Sequence, residues 1–155
     1  FLAGALSSGE SSRLYQRLVD NDQVALQAGS FDMSLDKSGM FAFFCIANAG
    51  VELEIIEKTI AEEVDKVKTD GITEEEFQKL RNAREVGLAR SGSSLTGKVR
   101  NLANYSLMYG NTELINTEYE KYMAVTRDDV KRVANKYLKP HRRNVVRYVV
   151  MEKAN

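Results

Sequence analysis

Few side chains in this sequence have the types and spacing that catalysis requires. There is one histidine, His141, directly after Pro140, and one cysteine, Cys45, inside the apolar run Met40 to Ala47. An open tetrahedral zinc site takes three protein ligands, and neither residue has a His or Cys neighbour to complete one. A serine or cysteine nucleophile needs a base, and nothing ties His141 to a particular serine. His141 reads instead as a surface residue near a helix end. Gly92 and Gly97 flank Ser93-Ser94, but no lysine-serine phosphate loop follows a strand there. The carboxylates Glu62, Glu63, Asp65 and Glu74 to Glu76 fall on predicted solvent faces or at a helix start, which suits charge display better than acid–base work. Two of the guanidiniums stand as a pair before the first strand. Arg13 and Arg17, four apart, share one face of a short amphipathic segment whose other face carries Leu14 and Leu18. They follow the loop Ser7 to Ser12, where Gly9 among four serines reads as a flexible, backbone-exposed connector.

The elements that must carry these residues follow from periodicity. Phe1 to Leu6 reads as the tail of an element. Val24, Leu26 and Ala28 alternate with polar or small residues, and beyond Gly29-Ser30 the apolar parity passes to Phe31, Met33 and Leu35. That slip predicts a bulge at Gly29 in a strand over 24–35. Asp36-Lys37-Ser38-Gly39 is turn chemistry, so the apolar run that follows should return as a hairpin partner. Its lack of polar interruption predicts a central strand buried on both faces. Leu53, Ile56, Ile60, Val64 and Val67 then repeat at helical spacing up to Gly71. Thr73-Glu74-Glu75-Glu76 opens the next helix as a capping box, with a thin stripe of Phe77, Leu80 and Leu88 behind it. A helix bearing Val99, Leu102 and Leu107 ends at Gly110, and a shorter one lies within 113–125. Thr126 starts a last helix carrying Val130, Val133, Ala134, Tyr137 and Leu138, stopped by Pro140. Residues 144–151 read as a closing strand. Strands and helices segregate, so the class is α+β, with an antiparallel or mixed sheet and helices packed on one face.

Bulk composition narrows the function classes. The 155 residues are 43% hydrophobic, with 22 Lys plus Arg against 22 Asp plus Glu. One core and one domain over 1–155 are expected. The charge balance shows no basic excess for a nucleic-acid partner. The cationic patch Lys136, Lys139, His141, Arg142 and Arg143 reads as a solvated helix end. One cysteine forms no disulfide within the chain. No apolar run approaches the ~20 residues of a membrane span. The opening Phe1-Leu2-Ala3-Gly4-Ala5-Leu6 has neither the basic residues nor the Met of a signal peptide, and reads as a cut inside a longer protein.

Four segments, in order, resemble the metal-free second half of the pitrilysin/insulinase-type zinc metallopeptidases, which include processing peptidases. They are Ser12-Arg13-Leu14-Tyr15 after its glycine- and serine-containing loop, the hairpin 23–47, Gly71-Ile72-Thr73-Glu74-Glu75-Glu76-Phe77, and Val125 to Leu138. The resemblance implies an α+β domain whose first strand is missing. It also implies a non-catalytic C-terminal domain closing a peptide-binding chamber against a zinc-bearing half, in the same polypeptide or in a partner subunit. Zinc and its inverted His-x-x-Glu-His motif would belong to that half, since this chain has a single histidine. Peptide would be the substrate, and this chain alone would be inactive. Many family members place in this half an Arg and, seven residues later, a Tyr that reach the substrate. The aligned places here hold Val19 and Leu26, so neither donor is present, and Arg17 reads as a surface residue. No catalytic, substrate-binding or metal residue is therefore assigned to this chain. The alternative is a structural or assembly subunit, like the processing-peptidase relatives in a respiratory complex, with no proteolytic role. The loop 4–12 resembles a substrate-admitting glycine-rich segment of the metal-free processing subunit, although a plain connector suits its two glycines better.

Overall fold

The computed structural model describes residues 1–35 and 37–149. Helix α1 (Leu2–Ser7) and the single turn α2 (Arg13–Tyr15) flank the serine-rich loop, and α2 widens directly into π-helical turns over Gln16–Asn21. Strands β1 (Ala25–Ser34) and β2 (Gly39–Ala47) form an antiparallel hairpin. Five helices follow: α3 (Leu53–Asp70), α4 (Glu74–Ser91), α5 (Leu95–Tyr109), α6 (Leu114–Met123) and α7 (Arg127–Tyr137). A short 3-10 turn, Pro140–Arg142, ends the helical part. The class is α+β as the sequence predicts, with a small antiparallel sheet and helices packed alongside it.

One apolar cluster joins these pieces. Leu6, Leu14 and Leu18 are fully buried and share it with Ile56, Val64 and Val67 of α3, Phe77 of α4, and Val130 and Ala134 of α7. The stripe read from α3 is thus its inner face. Gly71, at φ +80°, turns the chain out of α3 into the extended connector before α4. Thr73 then caps α4 as predicted: its hydroxyl accepts from the Glu76 amide at 3.1 Å, and its own amide donates to Glu76 Oε2 at 2.7 Å. Thr126 and Asp129 repeat the device at α7.

Beyond Phe77, helices α4, α5 and α6 bury no side chain completely. The thin stripe read from α4 has this consequence. Polar contacts join these helices instead: the Arg84 guanidinium lies 3.7 Å from the Tyr122 ring centre, and the Tyr119 hydroxyl is 2.8 Å from Glu85.

Three expectations about strands are corrected. The bulge lies at Leu26, where the register shifts between Ala25 and Gln27, and not at Gly29, which pairs regularly with Phe44. The shift turns Leu26 outward (69% exposed) and puts Ala25 and Ala28 in the core. Gly29 is small for another reason, because the Phe44 ring occupies the space a Cβ would take. Second, β2 is not central or buried on both faces. Phe41, Phe43, Cys45 and Ala47 pack on the core, while Met40, Phe44 and Ile46 on the other face stay exposed. Both sides of β2 are apolar, and only one is covered.

The closing strand at 144–151 is the third correction. Residues 143–149 make no sheet pairing, and 150–151 lie outside the described residues. Ionic contacts tie this segment to α3: Arg147 Nε donates to Glu57 at 2.7 Å and its terminal nitrogen to Glu54, while Arg143 lies 3.7 Å from Glu57. Val146 and Tyr148 are almost fully exposed. β propensity alone does not pair a strand, and the polar contacts of this segment go to α3 instead.

Candidate functional site

The residues singled out for chemistry do not come together. His141 is exposed in the 3-10 turn after α7, and Cys45 is half-buried in β2, where burial pushes its thiol pKa up and keeps it protonated. Among the described residues no group of three or more His, Cys, Asp or Glu side chains can hold a metal ion. Arg17 pairs with Asp22 at 2.7 Å and lies 4.0 Å from Glu62, the surface role read for it. Glu63 departs from its predicted solvent face. It is buried on α3, and Lys66 reaches it at 2.6 Å. A buried carboxylate needs such a partner, and the four-carbon stem of lysine supplies one from the helix edge.

Arg13 departs most from its sequence reading. It does not form a cationic pair with Arg17 but turns inward. Its Nε donates to Glu76 Oε1 at 2.6 Å, one terminal nitrogen donates to Glu76 Oε2 at 2.7 Å, and the same nitrogen donates to the Gly71 carbonyl at 3.2 Å. One side chain therefore holds α2, the end of α3 and the start of α4 together. Burial raises the Glu76 pKa, but the hydrogen bonds from Arg13 and Thr73 outweigh it and hold the carboxyl below its ordinary value. Helical spacing in the sequence places Arg13 and Arg17 on one face, and no local signal reveals a partner 63 residues away.

Both places aligned with the resemblance's Arg and Tyr fall on backbone irregularities. Val19 lies in the π-helical turns and packs its side chain against the core. Leu26 sits at the β-bulge and points to solvent. Neither can donate a hydrogen bond to a developing anion.

The outward side of the hairpin is a continuous apolar surface. Gly29 pairs with Phe44, Phe31 with Ala42 and Met33 with Met40, so Phe44, Phe31, Met33 and Met40 project to one side with Ile46. All five are exposed. Ser30 donates its amide to Ser7 Oγ at 2.6 Å, so that amide points away from β2. The alternation of an antiparallel ladder then leaves the backbone groups of Phe41, Phe43 and Cys45 directed away from β1. Among the described residues no third strand uses them. The site is thus a wall and an edge without nucleophile, base or metal.

Comparison with known proteins agrees with that chemistry. The family model described as the Peptidase M16 inactive domain matches residues 1–84, more than half of the chain. The chain belongs to this family. Zinc protease PqqE of Helicobacter pylori is 29% identical over 138 residues, covering 89% of the chain and 31% of that protein. The uncharacterized zinc protease YmxG of Bacillus subtilis is 26% identical over 133 residues, covering 86% of the chain and 32% of that protein. The chain therefore spans about a third of the length of the curated relatives it matches. The inactive peptidase domain of a protein from Bordetella parapertussis superposes with a TM-score of 0.84 at 22% identity, over 97% of this chain and 81% of that one. This M16 inactive domain is a non-catalytic one, and among its described residues no cluster can hold a metal ion. Among the described residues no helix is long and apolar enough to cross a membrane.

Proposed function

We propose that residues 1–155 act as a single unit of a zinc metallopeptidase, closing a peptide-binding chamber against a zinc-bearing half that is fused to it or separate. The observation that carries this reading is the match to an inactive peptidase domain, in a chain about a third as long as relatives named zinc proteases. Among the described residues no cluster fits a zinc ion, and on this reading the metal and the hydrolytic water belong to the other half. The contribution of this chain is surface. The open apolar face of the hairpin, where Phe31, Met33, Met40, Phe44 and Ile46 are exposed together, is the surface that meets the other half. Val19 and Leu26 carry no hydrogen-bond donor, so on this reading the Arg and Tyr that many family members place there come from elsewhere in the assembly.

The test is peptide cleavage by the zinc-bearing half with and without this chain. Cleavage only by the pair is the expected result. Equal cleavage by the zinc-bearing half alone, or cleavage by this chain alone, overturns the proposal. In the active pair, Arg17→Ala should leave turnover within about twofold, whereas an oxyanion donor is worth a factor of ~10² or more.

A further inference from the structure

The Ser7 to Ser12 loop reads from sequence as a free connector, yet its geometry is that of a fastened strap. Ser8, Gly9, Glu10 and Ser11 are exposed, and Gly9 takes φ +78° with open space around it. Inside the strap, the Ser12 amide and hydroxyl both reach the Gly9 carbonyl, at 3.1 and 2.7 Å. Behind it, Gln16 Nε2 donates to the Glu10 carbonyl at 2.9 Å. Across the fold, Lys79 of α4 donates to the Ser11 hydroxyl. Directly after the strap, Arg13 makes its two-pronged contact with Glu76. Lys79 and Glu76 are three apart, so they stand on one side of the first turns of α4.

We propose that Glu76 and Lys79 of α4 form a latch for this strap, with Arg13 as its bolt and the Glu76 carboxylate as its catch. This reading does not depend on the peptidase role proposed above. It rests on how the bonds are distributed. The exposed residues have little else to fix them: Ser7 at the start of the strap is tied to Ser30 of β1, and the remaining bonds are local. Glu76 Oε2 is shared, accepting from Arg13 at 2.7 Å and from the Thr73 amide at 2.7 Å. Oε1 serves Arg13 alone among the described residues. A helix start needs one of these oxygens, and the strap uses both. The two functions of the carboxylate can therefore be separated by chemistry. Glutamine at the third helical position still closes a capping box. It cannot accept both prongs of a guanidinium, since one of its two terminal atoms is a donor. Lysine in place of Arg13 keeps the charge and loses the fork. The latched and open strap are then two states of a segment whose neighbours, Leu6 and Leu14, stay buried in the core.

Hydrogen exchange on the full chain, resolved by residue, tests this. In Glu76→Gln the amides of Ser12 and Gln16 should exchange about tenfold faster, as loss of a charge-assisted pair implies. The amides of Glu76 and Phe77, and those of β1, should keep their wild-type rates. Arg13→Lys should give the same local pattern. Unchanged exchange at Ser12 and Gln16 in both variants would overturn the latch. So would an equal acceleration across β1 and α3, which would make the pair a general stabiliser of the core.

Discussion

Gly97 of α5 packs its bare Cα against the carbonyl oxygen of Ser91, and a Cβ there would overlap that oxygen. The obstacle is backbone at the end of α4, which cannot swing aside as a side chain can. Gly97→Ala should therefore force the α4–α5 corner open and cost about 1–3 kcal/mol, read by urea denaturation. Gly87, in the middle of α4, has nothing within 4 Å of the same point. Gly87→Ala should stabilise by roughly 0.5–1 kcal/mol, since it removes backbone entropy from the unfolded chain without a clash.

Arg127, the first residue of α7, donates from Nε to the Ile72 carbonyl at 2.8 Å and lies 3.4 Å from Glu74. Ile72 is buried, so its carbonyl has few alternatives. Arg127→Ala should cost about 1–2 kcal/mol by leaving that oxygen short of a donor. Thermal unfolding followed by circular dichroism would measure it, with loss below 0.3 kcal/mol counting against the contact.

Acid should loosen the chain through two helix caps. The Arg132 and Thr126 hydrogen bonds hold the Asp129 carboxyl at about 2, below its ordinary 3.8. Glu76 is likewise held below 4.5. A carboxyl depressed in the folded state stabilises above its unfolded pKa, and that stability is lost as pH falls through the folded value. Stability should thus be flat at neutral pH and decline from about pH 4.5 downward. In Asp129→Asn the part of the decline between pH 4 and 2 should shrink, as followed by denaturation at stepped pH.

The uncovered face of the hairpin should make the chain self-associate. Phe31, Met33, Met40, Phe44 and Ile46 are exposed together there. Sedimentation over a concentration series should show mass rising with concentration. Phe31→Lys with Ile46→Lys should suppress the rise without altering the far-ultraviolet spectrum. A monomer at every wild-type concentration would show that this face is not adhesive.

Sequence reading reached what depends on neighbours along the chain. The α3 stripe, the Thr73 and Thr126 caps and the pairing of β1 with β2 as a hairpin each declare themselves within a few residues. What it missed depends on contacts between distant segments. Alternation alone puts Leu26 in register with Val24 and Ala28, but the bulge that reverses it is set by pairing with Ala47 and Ile46. The β-branched run at 144–149 has the composition of a strand, but Arg143 and Arg147 tie it to Glu54 and Glu57 of α3 and it pairs with no strand. Arg13 looks like a surface charge until α4 brings Glu76 to it. Of the candidate site, a count of one histidine and one cysteine already excludes a His-x-x-Glu-His motif within this sequence. The open apolar face was not legible, because an uninterrupted apolar run reads the same whether both sides are covered or one.

We propose that this chain supplies no zinc ligand and no catalytic group. Zinc content after dialysis, measured by elemental analysis on the purified chain alongside a peptide-cleavage assay, tests it most directly. Far less than one zinc per chain and no chelator-sensitive cleavage are expected, because among the described residues neither His141 nor Cys45 belongs to a cluster able to hold a metal ion. One tightly held zinc per chain with turnover abolished by a chelator would contradict it.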